Sequence, residues 1–552
     1  MKIALAQFNP VVGDIVGNAG KIAAYIDRAA DAGAQLVVFH ELSILGYPPR
    51  DLLRKERFVA DNVEAVHALA KRCTRIAALV GFVQPTPSTT GRPLQNCAAL
   101  LAGGQVRHVH AKSLLPTYDV FDETRYFEPG EATGHFELDG QSIGLSVCED
   151  LWDEQALGRQ LYRDDPVADL MRRGAGIIIN MAASPYQMGK SALKESLLAR
   201  QAKRAGAPIV YVNQVGGNDE LIFDGGSCVI SAGGEVIARA KSFQEDLLIC
   251  DLSQECGANR CEPIGGEMER LSAALKLGLG DYIRKCGFKT AVLGLSGGID
   301  SAVVAVLAAD AIGPQNVYCL AMPSRYSSDH SLSDAKAIAK NVGLHYQVVP
   351  ILDIHEAYEQ ALAKTLRGGD AEIAGENVQA RIRGNIVMAV SNAFGHLALA
   401  TGNKSELSTG YCTLYGDMAG GLAVIGDVFK TEVFDLARQL NAEAGFERIP
   451  QAVIDKPPSA ELKPNQFDQD KLPPYDLLDQ ILERYVELDR TAQQIIDEGF
   501  DAKTVNYVVR LVDSSEYKRK QAAPVLKATQ RAFGTGRRMP IAQRYVPKEI
   551  IV

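Results

Sequence analysis

The 552-residue chain is marked first by what it lacks. No apolar run approaches the ~18 residues of a membrane span; the stretch from Ala302 to Ala309 is cut by Asp310. The N-terminus, Met1-Lys2-Ile3-Ala4-Leu5-Ala6-Gln7-Phe8, has neither the long apolar stretch nor the small-residue cleavage site of a secretion signal. It reads as a strand that opens the fold. Positive charge is not in surplus: 58 Lys and Arg against 67 Asp and Glu leave a net charge of -9, so no nucleic-acid partner is expected. The ten cysteines are too sparse for a disulfide scaffold. Only Cys256 and Cys261 lie close together, with no Cys-x-x-Cys and no nearby histidine, so a zinc site is not expected. These absences predict a soluble, cytoplasmic protein with no membrane partner.

What is present is ordinary in bulk. Hydrophobic residues make up 47% and charged residues 23%, which excludes a disordered chain, collagen or a coiled-coil rod. The length allows about three to five average domains, or two large ones. Patterning selects two. Apolar strands are expected at 35–39, 76–83, 96–102, 143–147, 177–181 and 209–213, helices near 18–32, 59–72 and 191–205, and a β-meander over 226–249. From 252 to 267 periodicity is lost and a linker is expected, which sets domains of 1–251 and 268–552. The second begins with a helix at 268–286, a strand at 290–295 and a helix at 299–311. Further strands at 317–322 and 345–349 flank a helix at 331–342, and the chain reads as helical again from 476 to 511. Repeated β-α-β units predict an α/β fold with a parallel sheet covered on both faces.

Gly294-Leu295-Ser296-Gly297-Gly298-Ile299-Asp300-Ser301 falls where a strand meets a helix, the ligand-binding end of an open parallel sheet. The glycines bring backbone N–H groups against an anion, Ser296 and Ser301 add hydroxyls, and the helix N-terminus adds partial positive charge. Asp300 beside phosphates requires an intervening cation, for which Mg2+ is the natural choice. The loop lacks the lysine of a Walker A motif; Gly189-Lys190-Ser191 has that lysine but not the upstream glycine. With its strand and helix, Ser-Gly-Gly-Ile-Asp-Ser resembles the pyrophosphate loop of the ATP pyrophosphatases, whose members include GMP, asparagine and NAD synthetases. The resemblance implies a doubly wound, adenine nucleotide alpha hydrolase-like domain. Its chemistry is ATP cleavage to AMP and pyrophosphate, with a carboxylate activated as an acyl-adenylate for attack by an amine.

Four further segments resemble the NAD synthetases: 376–385, 399–406 with Thr401-Gly402-Asn403-Lys404-Ser405-Glu406, Tyr415-Gly416-Asp417, and 426–431. The segments 456–462 and 515–519 complete the likeness. It implies ATP contacts at Thr401, Lys430 and Ser459. Deamido-NAD contacts fall at Asn377, Arg381, Arg383, Glu406 and Lys518, with Mg2+ on Asp300 and Glu406. Leu414 and Tyr517 depart from the lysine and histidine of the short, ammonia-using members and are left outside the site.

In the first half Glu41, Lys112 and Cys148 each end a strand, where an α/β fold gathers its reactive groups. With Tyr118 and Glu123 they resemble the nitrilase (carbon–nitrogen hydrolase) superfamily, which implies a four-layer α-β-β-α sandwich. Glu41 is then the general base, Cys148 the nucleophile, Lys112 the oxyanion's cation and Glu123 the supporting acid. By the same resemblance Tyr118, Ser184 and Lys190 line a glutamine pocket, with Lys190 toward the α-carboxylate. His108 and His110 read as packing or solvent-facing residues, not metal ligands.

The two halves together imply the glutamine-dependent NAD synthetase family. The expected substrates are deamido-NAD, ATP and L-glutamine, or ammonia in place of glutamine, with ammonia handed over internally and a homo-oligomeric assembly. Two alternatives stay open: another ATP-pyrophosphatase amidotransferase, and an amidase regulated by a nucleotide-sensing domain.

Overall fold

A computed structural model describes residues 1–130, 134–153, 158–254, 257–463 and 466–543. The chain divides into two compact units, Met1–Gly265 and Gly266–Val552. The first opens with β1 (Lys2–Gln7), β2 (Leu36–Val38), β3 (Ala77–Pro85), β4 (Leu94–Ala102) and β5 (Gln105–Ala111). It continues with β6 (Gly134–Leu138), β7 (Gln141–Val147), β8 (Ile177–Ala182) and β9 (Ile209–Asn213). A hairpin, β10 (Val215–Asn218) and β11 (Leu221–Asp224), precedes β12 (Cys228–Ile230), β13 (Val236–Arg239) and β14 (Asp246–Asp251). Two six-stranded sheets result, ordered β14-β1-β2-β3-β4-β5 and β13-β12-β9-β8-β7-β6.

Strand alternation explains the layering. In β1, Ile3 and Leu5 join Leu36, Val38 and Leu79 in the core between the sheets, against Ile143, Leu145 and Ile179 of the second sheet. Ala4 and Ala6 point the other way and meet Ile22, Ile26, Val66 and Leu69 of the helices Ile15–Asp31 and Glu56–Ala70. Helices Pro166–Arg172 and Lys190–Ala205 cover the second sheet, with Leu170, Leu198 and Ala202 packed into its core. This is a four-layer α-β-β-α sandwich. Part of the non-periodic stretch after β14 is tied to it: Cys261 bridges to Arg239, whose Nη1 donates to the Glu262 carbonyl at 2.8 Å.

The second unit carries β15 (Ala291–Gly294), β16 (Val317–Ala321), β17 (His345–Val348), β18 (Leu397–Ala400) and β19 (Leu422–Ala423). All pairs are parallel, in the order β17-β16-β15-β18-β19. Strand order reverses at β15, so the crevice beyond its carboxyl end is the ligand site of a doubly wound sheet. The helix after it, Ile299–Ile312, is buried from Ser301 through Ala309, as its near-unbroken apolar sequence requires.

Two helix expectations shift. The helix placed at 376 begins at Ala371, because Asp370 caps it by accepting from the Ile373 N–H at 3.0 Å. The region 476–511 is three helices, Tyr475–Leu482, Ala492–Asp497 and Ala502–Ser514. A π-turn at Glu483–Glu487, Asp489 at φ +51° and a new N-cap at Thr491 interrupt it. Among the described residues no helix is long and apolar enough to cross a membrane.

Candidate active sites

In the first unit the ends of β2, β5 and β7 deliver Glu41, Lys112 and Cys148 into one buried cluster. Cys148 sits at φ +45° just after β7, a strained turn that lifts its thiol off the strand end. The Asn180 amide supports this turn by donating to the Cys148 carbonyl at 3.3 Å. Lys112 is fully buried; its Nζ donates to Glu41 Oε1 at 2.7 Å and to Glu123 Oε1 at 2.8 Å. Glu41 also accepts from Asn96 Nδ2 at 2.7 Å and, through Oε2, from the Ala183 N–H at 3.1 Å. Glu123 accepts from the Tyr47 hydroxyl at 2.9 Å.

The electrostatics follow from burial. Burial disfavours the Lys112 charge, but Glu123 and Glu41 outweigh it and hold the ammonium well above its ordinary range. Burial, then the like charge of Glu41 acting against Lys112, raises the Glu123 carboxyl. Burial and Glu41 push the Cys148 thiol well up, while Lys112 pulls it down. The thiol therefore rests protonated and needs a base to become a nucleophile.

The predicted pocket residues assemble beside the cluster. The Tyr118 hydroxyl donates to Glu149, 2.9 Å from each carboxylate oxygen, and Tyr162 donates to the same group at 2.9 Å. Ser184 is held by Asn213, which accepts from its N–H at 2.8 Å and donates to its carbonyl at 3.2 Å. Lys190 Nζ donates to the Pro185 carbonyl at 3.0 Å and lies 5.4 Å from the centre of the Trp152 ring. Sequence reasoning missed Glu149, Asn96 and Asn180. Glu149 had a signal, being next to Cys148; the two asparagines had none, because only strand register brings them here. His108 packs on Phe136 with ring centres 5.7 Å apart, as expected of a packing residue. His110 does more, with Nε2 3.7 Å from Asp150.

In the second unit the Gly294–Ser301 loop lies at the carboxyl end of β15. Gly297 adopts φ +83° with its Cα against the Ser331 carbonyl, so no side chain fits there. Ser296 Oγ accepts from the Gly298 N–H at 3.2 Å, and Ser301 Oγ accepts from the Ser296 N–H at 3.2 Å. One cavity is lined by every other residue of this loop, with Thr401, Lys430, Ser459, Arg383 and Glu406. Asp300 accepts from Asn403 Nδ2 at 2.9 Å and pairs with the Lys430 ammonium.

Asn377, Arg381 and Lys518 are placed elsewhere, on the chain segment 410–414. Lys518 Nζ donates to the Gly410 and Cys412 carbonyls at 2.7 and 2.8 Å, and Arg381 Nε to the Leu414 carbonyl at 3.2 Å. Asn377 accepts from the Thr413 hydroxyl at 2.9 Å. Asp417, from a segment that carries the family likeness, lines the cavity, as does Asp468, which was not anticipated.

This cavity is short of positive charge. Burial and then Asp300 raise the Glu406 carboxyl well above its usual range, against Lys430. Burial raises Asp468 too, although Lys430 and two tyrosine hydroxyls oppose it. Burial lowers Arg383 to about 10. Among the described residues no group of three or more His, Cys, Asp or Glu side chains is arranged to hold a metal. Mg2+ typically needs only one or two carboxylates beside substrate phosphates, and the hard oxygens of Asp300 and Glu406, both on the cavity wall, fit that pattern.

Two family models match the chain: Carbon-nitrogen hydrolase over residues 2–260 and NAD synthase over residues 271–522. The glutamine-dependent NAD(+) synthetase of Synechocystis sp. is 49% identical over 555 residues, covering 99% of each chain. The chain belongs to the glutamine-dependent NAD(+) synthetase family. The Thermotoga maritima member is 41% identical over 583 residues, again covering 99% of both chains. The solved glutamine-dependent NAD+ synthetase of Acinetobacter baumannii, in complex with adenosine diphosphate, superposes with a TM-score of 0.77 at 39% identity, covering 98% of each chain. The Cytophaga hutchinsonii structure shares the fold, with a TM-score of 0.82 at 23% identity over 98% of this chain and 97% of that one.

Proposed function

We propose that the first unit hydrolyses L-glutamine and that the second uses the ammonia to amidate deamido-NAD, with ATP cleaved to AMP and pyrophosphate. The carrying observation is the buried Cys148–Lys112–Glu41–Glu123 cluster in the same chain as a glycine-rich strand–helix loop lining a cavity. In the first step Glu41 takes the Cys148 proton and the thiolate attacks the glutamine amide carbon. Lys112, held in place by two carboxylates, stabilises the oxyanion. Collapse of the tetrahedral intermediate breaks the C–N bond as Glu41 returns its proton to the departing ammonia. Glu41 then activates the water that hydrolyses the thioester and releases glutamate. Lys190 faces the glutamine α-carboxylate and Glu149 its α-ammonium, with Tyr118 fixing the Glu149 carboxylate.

In the second unit the Ser296–Ser301 loop grips the leaving pyrophosphate while the deamido-NAD carboxylate attacks the α-phosphorus. Ammonia then displaces AMP from the acyl-adenylate. Asp300 and Glu406 would hold magnesium, which would supply charge neutralisation at the phosphates, and Lys430 adds a fixed cation beside them. Asn377, Arg381 and Lys518 act by shaping the 410–414 segment against deamido-NAD. We place this activity in the cytoplasm, in a homo-oligomer.

The deciding experiment supplies purified protein with deamido-NAD, ATP and magnesium, and either glutamine or ammonia. NAD, AMP and pyrophosphate should form with both nitrogen sources. No NAD from either source refutes the reading.

A further inference from the structure

β5 and β7 lie in different sheets, so no ladder hydrogen bond fixes Lys112 against Cys148. The Asp150 side chain spans that gap by bonding the backbone on both sides. Asp150, buried two residues past the nucleophile, accepts through Oδ2 from the Val147 N–H at 2.9 Å, on the residue just before Cys148. Through Oδ1 it accepts from the N–H groups of Ser113 at 3.1 Å and Leu114 at 2.8 Å, the two residues just after Lys112. Buried His110 stands 3.7 Å from Oδ2 and makes no hydrogen bond through that Nε2. A carboxylate taking three backbone N–H bonds is a stiff, charge-assisted bracket. Of the other ties here, Ala183 N–H to Glu41 runs through the general base itself, and the Tyr118 hydroxyl to Glu149 joins two residues of the substrate pocket. Asp150 has no role in the chemical steps above.

We propose that Asp150 is a positioning residue: it sets the spacing of the Cys148 thiol and the Lys112 ammonium across the two sheets. The proposal rests on the glutaminase reading and names how that site is aligned. Asp150→Asn keeps the shape but sets an amide NH2 against either Val147 or the Ser113–Leu114 pair. Asp150→Glu keeps the charge and moves both oxygens out by one methylene.

The test measures glutaminase kcat and KM for wild type and both variants, with ammonia-driven NAD synthesis on the same preparations. Misplacement of reacting groups by about 1 Å costs about 10²-fold. Asp150→Asn should therefore lose about 10²-fold in kcat and Asp150→Glu about 10-fold, each with KM changed by less than about 3-fold. Ammonia-driven synthesis should persist in both. Unchanged kcat, or a rise in KM without loss of kcat, overturns the proposal. So does loss of ammonia-driven synthesis in both variants, which would make Asp150 a residue of the fold alone. A wild type without glutaminase activity refutes the glutaminase reading instead, and the two failures are distinct.

Discussion

The two clusters manage buried charge in opposite ways. Around Lys112 two carboxylates, Glu41 and Glu123, converge on one cation, and Asn96 and the Ala183 N–H take up further Glu41 lone pairs. Its cation is paired without a ligand, and only Glu123 Oε2 and Asn96 Oδ1 in this set are buried without a hydrogen-bond partner. Around Lys430 three acids, Asp300, Glu406 and Asp468, share one cation, and burial and mutual repulsion lift Glu406. That set is left short of positive charge. The first arrangement suits chemistry done by the protein's own groups, where geometry must exist before the substrate arrives. The second suits a site completed by ligands, where binding itself relieves the strain.

The sharpest way to separate the two is to remove the nucleophile. Cys148→Ala should cut glutamine-driven NAD synthesis by at least about 10⁴-fold, the scale seen when a covalent nucleophile is lost, with ammonia-driven synthesis continuing. Parallel assays with the two nitrogen sources check it; equal loss in both would mean the sites are not separable. Next, Lys112→Met deletes the cation and leaves Glu41 and Glu123 facing each other. Loss of oxyanion stabilisation should lower glutaminase kcat by about 10²–10³-fold. Breaking a buried pair from one side should also cost about 3–5 kcal/mol of stability, read by chemical denaturation. A stable, active Lys112→Met protein would break the claim that this cluster is self-contained.

The counterpart in the second unit is Asp300→Asn. It should lower synthesis from both nitrogen sources by about 10²-fold while glutaminase activity remains. A readout independent of turnover is thermal stabilisation by magnesium and ATP, which stabilise only as far as the folded state binds them. Wild type should gain from magnesium and the variant should gain much less. Equal shifts would remove Asp300 from the cation site.

The same contrast explains what was legible in the sequence. The Gly294–Ser301 loop is contiguous and lies at a strand–helix junction, so its residues reach the cavity together, apart from Gly297, whose backbone is pressed against Ser331. Glu41, Lys112 and Cys148 are distant in sequence and were found through a family likeness, not through spacing. Asn96 and Asn180 show the limit: each is a polar residue in a mostly apolar strand, and only pairing register places it against Glu41 or the Cys148 turn. Arg381 and Lys518 show another. The likeness gave them deamido-NAD contacts, and in the structure both side chains reach backbone carbonyls of the 410–414 segment. Boundaries drifted where capping decided them, as at Asp370 and Thr491.

The smallest expected effect tests whether the second site's excess acid costs stability. Burial raises the Asp417 carboxyl to about 6, against backbone N–H bonds and Lys518 that favour its charge. The folded chain then holds this proton more tightly than the unfolded chain, whose carboxyl titrates near 3.8. The contribution to stability is present below that lower value and is lost as pH rises through about 6. At about 1.4 kcal/mol per unit, the penalty above pH 7 reaches at most about 3 kcal/mol. Asp417→Asn keeps an acceptor for the Thr413 N–H, 2.6 Å from Oδ1 in wild type, but has no proton to lose. Relative to wild type it should therefore gain stability between about pH 4 and pH 7, measured by urea denaturation of ligand-free protein at both ends of that range. A stability difference that does not change with pH would show that solvent or a neighbouring cation already compensates Asp417. The second site would then be less strained than its buried acids imply.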